Sequence, residues 1–152
     1  MYKIISIIVI ITIFICLYFF VFRYKQGPSI SISIKNQPFN LEIAKTIAQK
    51  SKGLSDRLSL CPECGMIFVF DKEGIQPFWM KDTLIPLDMV WLNKSGQVVE
   101  IITAIPESNT QMTKLKIYQN SKPALYVIEL NAGTTEKLYL KIGDTIKIPS
   151  TL

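Results

Sequence analysis

Phe78-Trp79-Met80-Lys81-Asp82-Thr83-Leu84-Ile85-Pro86-Leu87-Asp88 is the stretch on which the reading of this chain turns. It packs two aromatics, one lysine, two aspartates and one proline into eleven residues. Lys and Asp are rarely buried unless paired, so the segment is expected to fold polar groups against an apolar wall. Upstream, Met66 to Phe70 is a continuous apolar run, the pattern of a strand buried on both faces. Asp71 to Gly74 reads as a turn and Pro77 to Met80 as a short strand. Downstream, Leu87 to Asn93 and Val98 to Ile105 read as strands joined by a hairpin turn at Lys94-Ser95-Gly96. Further out, Ile30, Ile32 and Ile34 alternate with Ser31, Ser33 and Lys35, and Phe39, Leu41 and Ile43 alternate again. Residues 29 to 44 therefore read as a hairpin, turning at Asn36-Gln37-Pro38. Thr46 and Gln49 have the spacing of a capping box and open a short helix, with Gly53 as its carboxyl-terminal cap. Pro106 to Lys116 is polar and irregular, Ala124 to Leu130 is another strand, Thr135 to Leu140 is a helical turn or two, and Thr145 to Ile148 is a last strand. Some eight short strands with turn signals between them predict a mainly β fold: an antiparallel sandwich or small barrel with one or two short helices.

Several of these pieces share a second property. Gly65-Met66-Ile67-Phe68-Val69-Phe70, then Phe78-Trp79-Met80-Lys81 and Leu84-Ile85-Pro86-Leu87-Asp88, resemble the signature of the Domain of Unknown Function 192 family. The resemblance extends over roughly Phe39 to Ile148. The Thr46 helix, Gly53-Leu54, Arg57, Tyr126 to Leu130 with Ala132-Gly133, and Gly143-Asp144 follow in the family's order. It implies a jelly-roll-like β domain with a helix covering one end, and an exported location. It implies no reaction. The chain departs from the family pattern in having Asp82 where Asn is usual and Ser55 where Met is usual. It also lacks a cysteine pair between Pro106 and Tyr118.

The amino terminus sets a second expectation. Ile4 to Phe22 is 19 residues long, and only Ser6, Thr12 and Cys16 depart from large apolar or aromatic types. As a helix it would span about 28 Å, close to the hydrocarbon thickness of a bilayer. No small-x-small cleavage site follows it, and Ile13-Phe14-Ile15 lacks the small residue that precedes a lipidated cysteine. The expectation is an uncleaved single transmembrane helix within residues 1–25, a linker at 26–29, and a domain over 30–152. Lys3 with the terminal amine balances Arg23 with Lys25, so charge gives no orientation. The resemblance does, and it implies a cell-membrane protein with its C-terminal domain outside the cytoplasm.

The net charge of +5 is weaker than it looks, because Lys3, Arg23 and Lys25 are three of the 17 basic residues. The remaining 14 face 12 acids, leaving about +2 on the domain. Arg57 is the only arginine beyond the anchor, so the clustered basic charge of a nucleic-acid binder is missing and no nucleic-acid partner is expected.

Arg57, Trp79, Lys81, Asp82 and Asp88 are the candidate ligand-binding residues. Arg offers a planar fork of donors suited to carboxylate or phosphate. The structural alternative is an ion pair of Arg57 or Lys81 with Asp88 that ties the loop to the sheet. Trp79 with Phe78 and Met80 lines an apolar pocket or packs as core. Trp91 alternates with Val90 and Leu92, so one of these is expected to face solvent or a groove. Cys61-Pro62-Glu63-Cys64 is a candidate local disulfide. A redox pair of this spacing usually opens a helix, and here a β run follows instead. With no His and only Cys16 besides, no metal site is expected within one chain, although two chains could assemble a four-cysteine zinc site. No cofactor motif, nucleophile elbow or His-based triad is present, and no catalytic residue is singled out. The reading is a non-catalytic module that binds a ligand or partner of the cell envelope, tethered through residues 4–22. The alternatives are a carboxylate-based hydrolase using Asp82 and Asp88, and a thiol redox accessory using Cys61 and Cys64.

Overall fold

The structure, a computed structural model, describes Thr12, residues 27–107 and residues 114–152. Residues 4–22, where the membrane-spanning helix is expected, lie outside the described residues apart from Thr12. Among the described residues no helix is long and apolar enough to cross a membrane.

Among the described residues six strands form one sheet. They are β1 (Ser29–Ile34), β2 (Gln37–Ala44), β3 (Cys64–Gly74), β4 (Leu87–Leu92), β5 (Val98–Ala104) and β6 (Ala124–Asn131). Among the described residues two short helices accompany them, α1 (Ile47–Lys52) and α2 (Thr134–Lys137). The strand order is β1-β2-β3-β6-β4-β5. The fold is therefore mainly β, as the alternation predicts, but the sheet is mixed rather than antiparallel. Strands β2 and β3 run parallel, from Asn40↔Cys64 to Ala44↔Phe68. Parallel neighbours need a long crossover, commonly helical, and the segment from Lys45 to Glu63 with α1 inside it is that crossover. Two expected strands do not form. Phe78 makes only an isolated bridge to Tyr118, and Thr145 only one to Gln97. Asp71 to Gly74, read as a turn, continues β3 past a bulge between Val69 and Gly74.

Local chemistry explains the elements that do form. Lys35 (φ 49°) and Asn36 (φ 68°) both take the left-handed conformation of a two-residue hairpin turn, so the turn falls one residue earlier than Asn36-Gln37-Pro38 suggests. Helix α1 carries the full capping box: Thr46 accepts from the Gln49 backbone N–H, and the Gln49 side chain accepts from the Thr46 backbone N–H. Gly53, at φ 47° and ψ −135°, ends it in a conformation that an L side chain resists.

The sheet is covered on both faces. One core gathers Leu54, Met66, Phe68, Met89, Trp91 and Val127. The other gathers Ile32, Phe39, Leu41, Val90, Ile128 and Ile146. Every residue of β4 is buried, because it lies inside the sheet between β6 and β5 with a core on each side. The expectation that Trp91 or its neighbours face solvent is thereby corrected. Trp91 is 0% exposed, and its indole N–H donates to the Gln76 carbonyl at 3.0 Å.

Candidate functional site

The segment from Phe78 to Asp88 divides its residues by polarity. Phe78 turns inward and sets its ring edge-on against Phe68 (4.8 Å between centroids) and Trp91 (5.8 Å). Met80 is fully buried. The tip, Lys81-Asp82, points to solvent and is paired with itself at 2.8 Å. Asp82 sits at φ 54°, a left-handed position that Asn adopts more readily than most residues, so Asn at this place is a conformational preference. The tip is fastened to the turn after α1 by the Asp56 N–H on the Asp82 carbonyl (2.8 Å) and the Ser55 hydroxyl on the Lys81 carbonyl (3.2 Å).

The five candidate residues do not converge. Trp79 is 44% exposed and lines a cleft. Arg57 grips Glu42 in a bidentate pair at 2.5 and 2.7 Å. Lys81 and Asp82 hold each other. Asp88 is 0% exposed and pairs with neither Arg57 nor Lys81. It accepts instead from the Thr103 hydroxyl (2.7 Å) and from both the hydroxyl and the backbone N–H of Thr135 (2.8 Å each). The acid thus staples β4 to β5 and to the first turn of α2, where a carboxylate also suits the helix dipole. Asp82 and Asp88 share no substrate space, so the geometry a hydrolase would need from that pair is missing. Asp88→Ala is expected to destabilise the fold by about 3 kcal/mol, because it strands the two buried donors of Thr135 and frees the part-buried Thr103 hydroxyl. Asp88→Asn should cost about half of that, and urea unfolding of the two variants checks the order.

Cys61 and Cys64 are joined by a disulfide, with Cα atoms 5.1 Å apart. Cys64 opens β3 and no helix follows, so the amino-end dipole that activates a redox thiol is not in place. The loop is further held by the Asn131 amide, which donates to the carbonyls of Leu60 (3.3 Å) and Cys61 (3.0 Å).

The site that the structure does assemble is a cleft of about 350 Å³ between α1 and the Pro77–Trp79 segment. Leu54, Phe68, Phe70 and Phe78 form its walls. Ile47, Trp79 and Ile117 form an exposed apolar rim, with Ile47 82% exposed. Its volume is at the small end of ordinary ligand sites. Lys50 reaches along one side, its ammonium 4.7 Å from the Phe70 ring centroid and donating to the Val69 carbonyl at 3.2 Å.

Glu129 lies in this cleft, 5% exposed. Its place follows from register. Residues 127 and 129 of β6 point to the same face as Met66 and Met89, their neighbours across the sheet, whereas Ile128 and Leu130 point to the other core. Glu42 pairs with Met66, so Glu42, Met66, Glu129 and Met89 form one row across the sheet. Burial pushes the Glu129 carboxyl up from its ordinary 4.5 to about 8, and the positive charge of Arg57 draws it partly back. An acid this costly to ionise, set in an open cleft, is a recognised mark of a functional site. Sequence reading missed it. The signal was present: Glu129 is the single charged residue inside the apolar run from Ala124 to Leu130.

Residues 30–148 match the profile of the family described as DUF192, an uncharacterized ACR. No curated protein gives a significant match. Two solved structures are similar to this chain. One is a candidate transcription regulator from Sinorhizobium meliloti 1021, 30% identical, with a TM-score of 0.68 over 78% of this chain and 91% of that one. The other is a protein of unknown function from Novosphingobium aromaticivorans DSM 12444, 27% identical, with a TM-score of 0.70 over 83% of this chain and 89% of that one. A profile match running from the first strand to beyond the last supports one conclusion: the chain belongs to the DUF192 family.

Proposed function

We propose that this protein is a non-catalytic ligand-binding module of the cell envelope, held at the membrane by residues 4–22 with its β domain outside the cytoplasm. The observation that carries the binding part is Glu129, an acid buried in an apolar cleft whose rim is exposed. A leucine at that position would serve the core better, since burying an acid opposes stability. A group that weakens the fold and faces an opening is explained by what enters the opening. The membrane part is supported by the length and apolarity of Ile4 to Phe22, and by family resemblance for the orientation.

Glu129 alone is half of a general acid–base pair. Among the described residues the other polar side chains lining the cleft are hydroxyls and lysines, Thr83, Ser51, Ser55, Lys50 and Lys52, which favours binding over hydrolysis. The test is native mass spectrometry of the full-length chain released gently from membranes. A small-molecule adduct is expected on the native chain and is expected to be depleted in Trp79→Ala, a change at the half-exposed rim that leaves the core intact. An adduct unaffected by Trp79→Ala, or none from any preparation, would count against the cleft as the binding site.

A further inference from the structure

We propose that the cleft takes a small organic carboxylate, an anionic head on an aromatic or short acyl body, whose head accepts hydrogen bonds from the Glu129 hydroxyl and the Lys50 ammonium. This inference rests on the reading of the domain as a ligand-binding module and specifies its ligand class. The body follows from the walls. Leu54, Phe68, Phe78 and Trp79 offer apolar and aromatic surface in a space of about 350 Å³. Such a site favours a compact apolar group over an extended polar one.

The head follows from charge. Among the described residues the ionisable side chains lining the cleft are Lys50, Lys52 and Glu129. Lys52 forms an ion pair with Asp56. Lys50 has no carboxylate partner among the described residues; its ammonium rests on the Phe70 ring and the neutral Val69 carbonyl. Burial keeps Glu129 protonated near neutral pH, so its carboxyl is a donor there. The described residues of the cleft then present Lys50 as a cation without a carboxylate partner and Glu129 as an O–H donor beside an apolar wall. An incoming ammonium would have to drive the proton off Glu129 and sit near Lys50. A carboxylate meets two donors and no anion.

The surroundings of Glu129 act in the same direction. Arg57, in the loop after α1, adds positive potential and is itself shared with Glu42 on β2. Strands β3 and β4 place Met66 and Met89 beside it, and α1 contributes Lys50 and Lys52. The Pro77–Trp79 segment contributes no ionisable side chain, and Lys81 and Asp82 beyond it neutralise each other.

Three probes with one benzyl body and different heads make the test: phenylacetate, phenylacetamide and phenethylamine. Each is titrated into the full-length chain in lipid nanodiscs, with empty nanodiscs to correct for partitioning. The readout is the Trp79 indole N–H resonance, with the buried Trp91 indole as the internal reference. Phenylacetate is expected to bind most tightly at pH 7 and to weaken about tenfold by about pH 9, as Glu129 loses the proton it donates. Glu129→Gln keeps a donor without a titration, so it should retain binding and abolish that pH dependence. Lys50→Gln should weaken phenylacetate while leaving phenylacetamide nearly unchanged. If phenethylamine binds best and tightens with rising pH, or the amide matches the acid at every pH, the carboxylate assignment is overturned and the cleft remains a binding site. If no probe moves the Trp79 signal, the binding reading fails with it.

Discussion

Glu129→Gln is expected to unfold at higher urea concentration than the native chain at pH 8 and above, and at nearly the same concentration below pH 4.5. The reason is linkage. Folding raises the Glu129 pKa from 4.5 to about 8, so between those values the folded chain holds a proton that the unfolded chain has released. The contribution of this group to stability is complete below pH 4.5, falls as the pH rises through the window, and levels off above pH 8. The slope is about 1.4 kcal/mol per pH unit, and the full loss is roughly 5 kcal/mol. Gln has nearly the same shape and does not titrate, so the variant escapes the loss. Comparing variant with native at each pH cancels the other ionisable groups, including Asp144, whose pKa is lowered by its hydrogen bond to Lys35. Parallel pH profiles for the two proteins would show that Glu129 ionises without hindrance and that the cleft is wet.

Gly65→Ala is expected to be the most damaging single-methyl change in the sheet. A Cβ built there would lie 2.4 Å from the Glu129 carbonyl oxygen, 2.8 Å from Leu41 Cδ2 and 2.9 Å from Leu130 Cδ2. The first of these is backbone of the neighbouring strand and cannot swing away. The glycine thus permits β3 to lie close against β6, which also fixes the row that carries Met66 and Glu129. Overpacking of this kind costs about 3 kcal/mol or more. Gly74→Ala is the control, since its Cβ would meet only the flexible Gln76 Nε2 at 3.7 Å. Thermal unfolding should show a large fall in Tm for the first and little change for the second. Equal Tm values would mean that β3 and β6 are not held in this register.

What could be read from the sequence was the local chemistry. Period-two alternation at Ile30 to Ile34 and Phe39 to Ile43 gives β1 and β2, and the Thr46–Gln49 pair gives the start of α1. Partnership was less legible, because it depends on which strands become neighbours. The parallel pairing of β2 with β3 is set by a crossover that reads locally as a helix and a loop. Trp91 was misplaced because alternation describes a strand with one wet face, and β4 has none. At the site, residue type pointed to Asp88 and Arg57, but both are satisfied elsewhere, by Thr103 and Thr135 and by Glu42. Glu129 carries the cleft's character because the pleat of β6 turns it to that side and α1 folds over that face. Neither fact is written in its immediate neighbours along the chain.

Glu129 is expected to stay protonated in its cleft at neutral pH. That protonation is tested most directly by following the Glu129 side-chain carboxyl with carbon-13 NMR through a pH titration of the full-length chain, with Glu129→Gln identifying the signal. The expected midpoint is about 8. A midpoint at the ordinary 4.5 would contradict it.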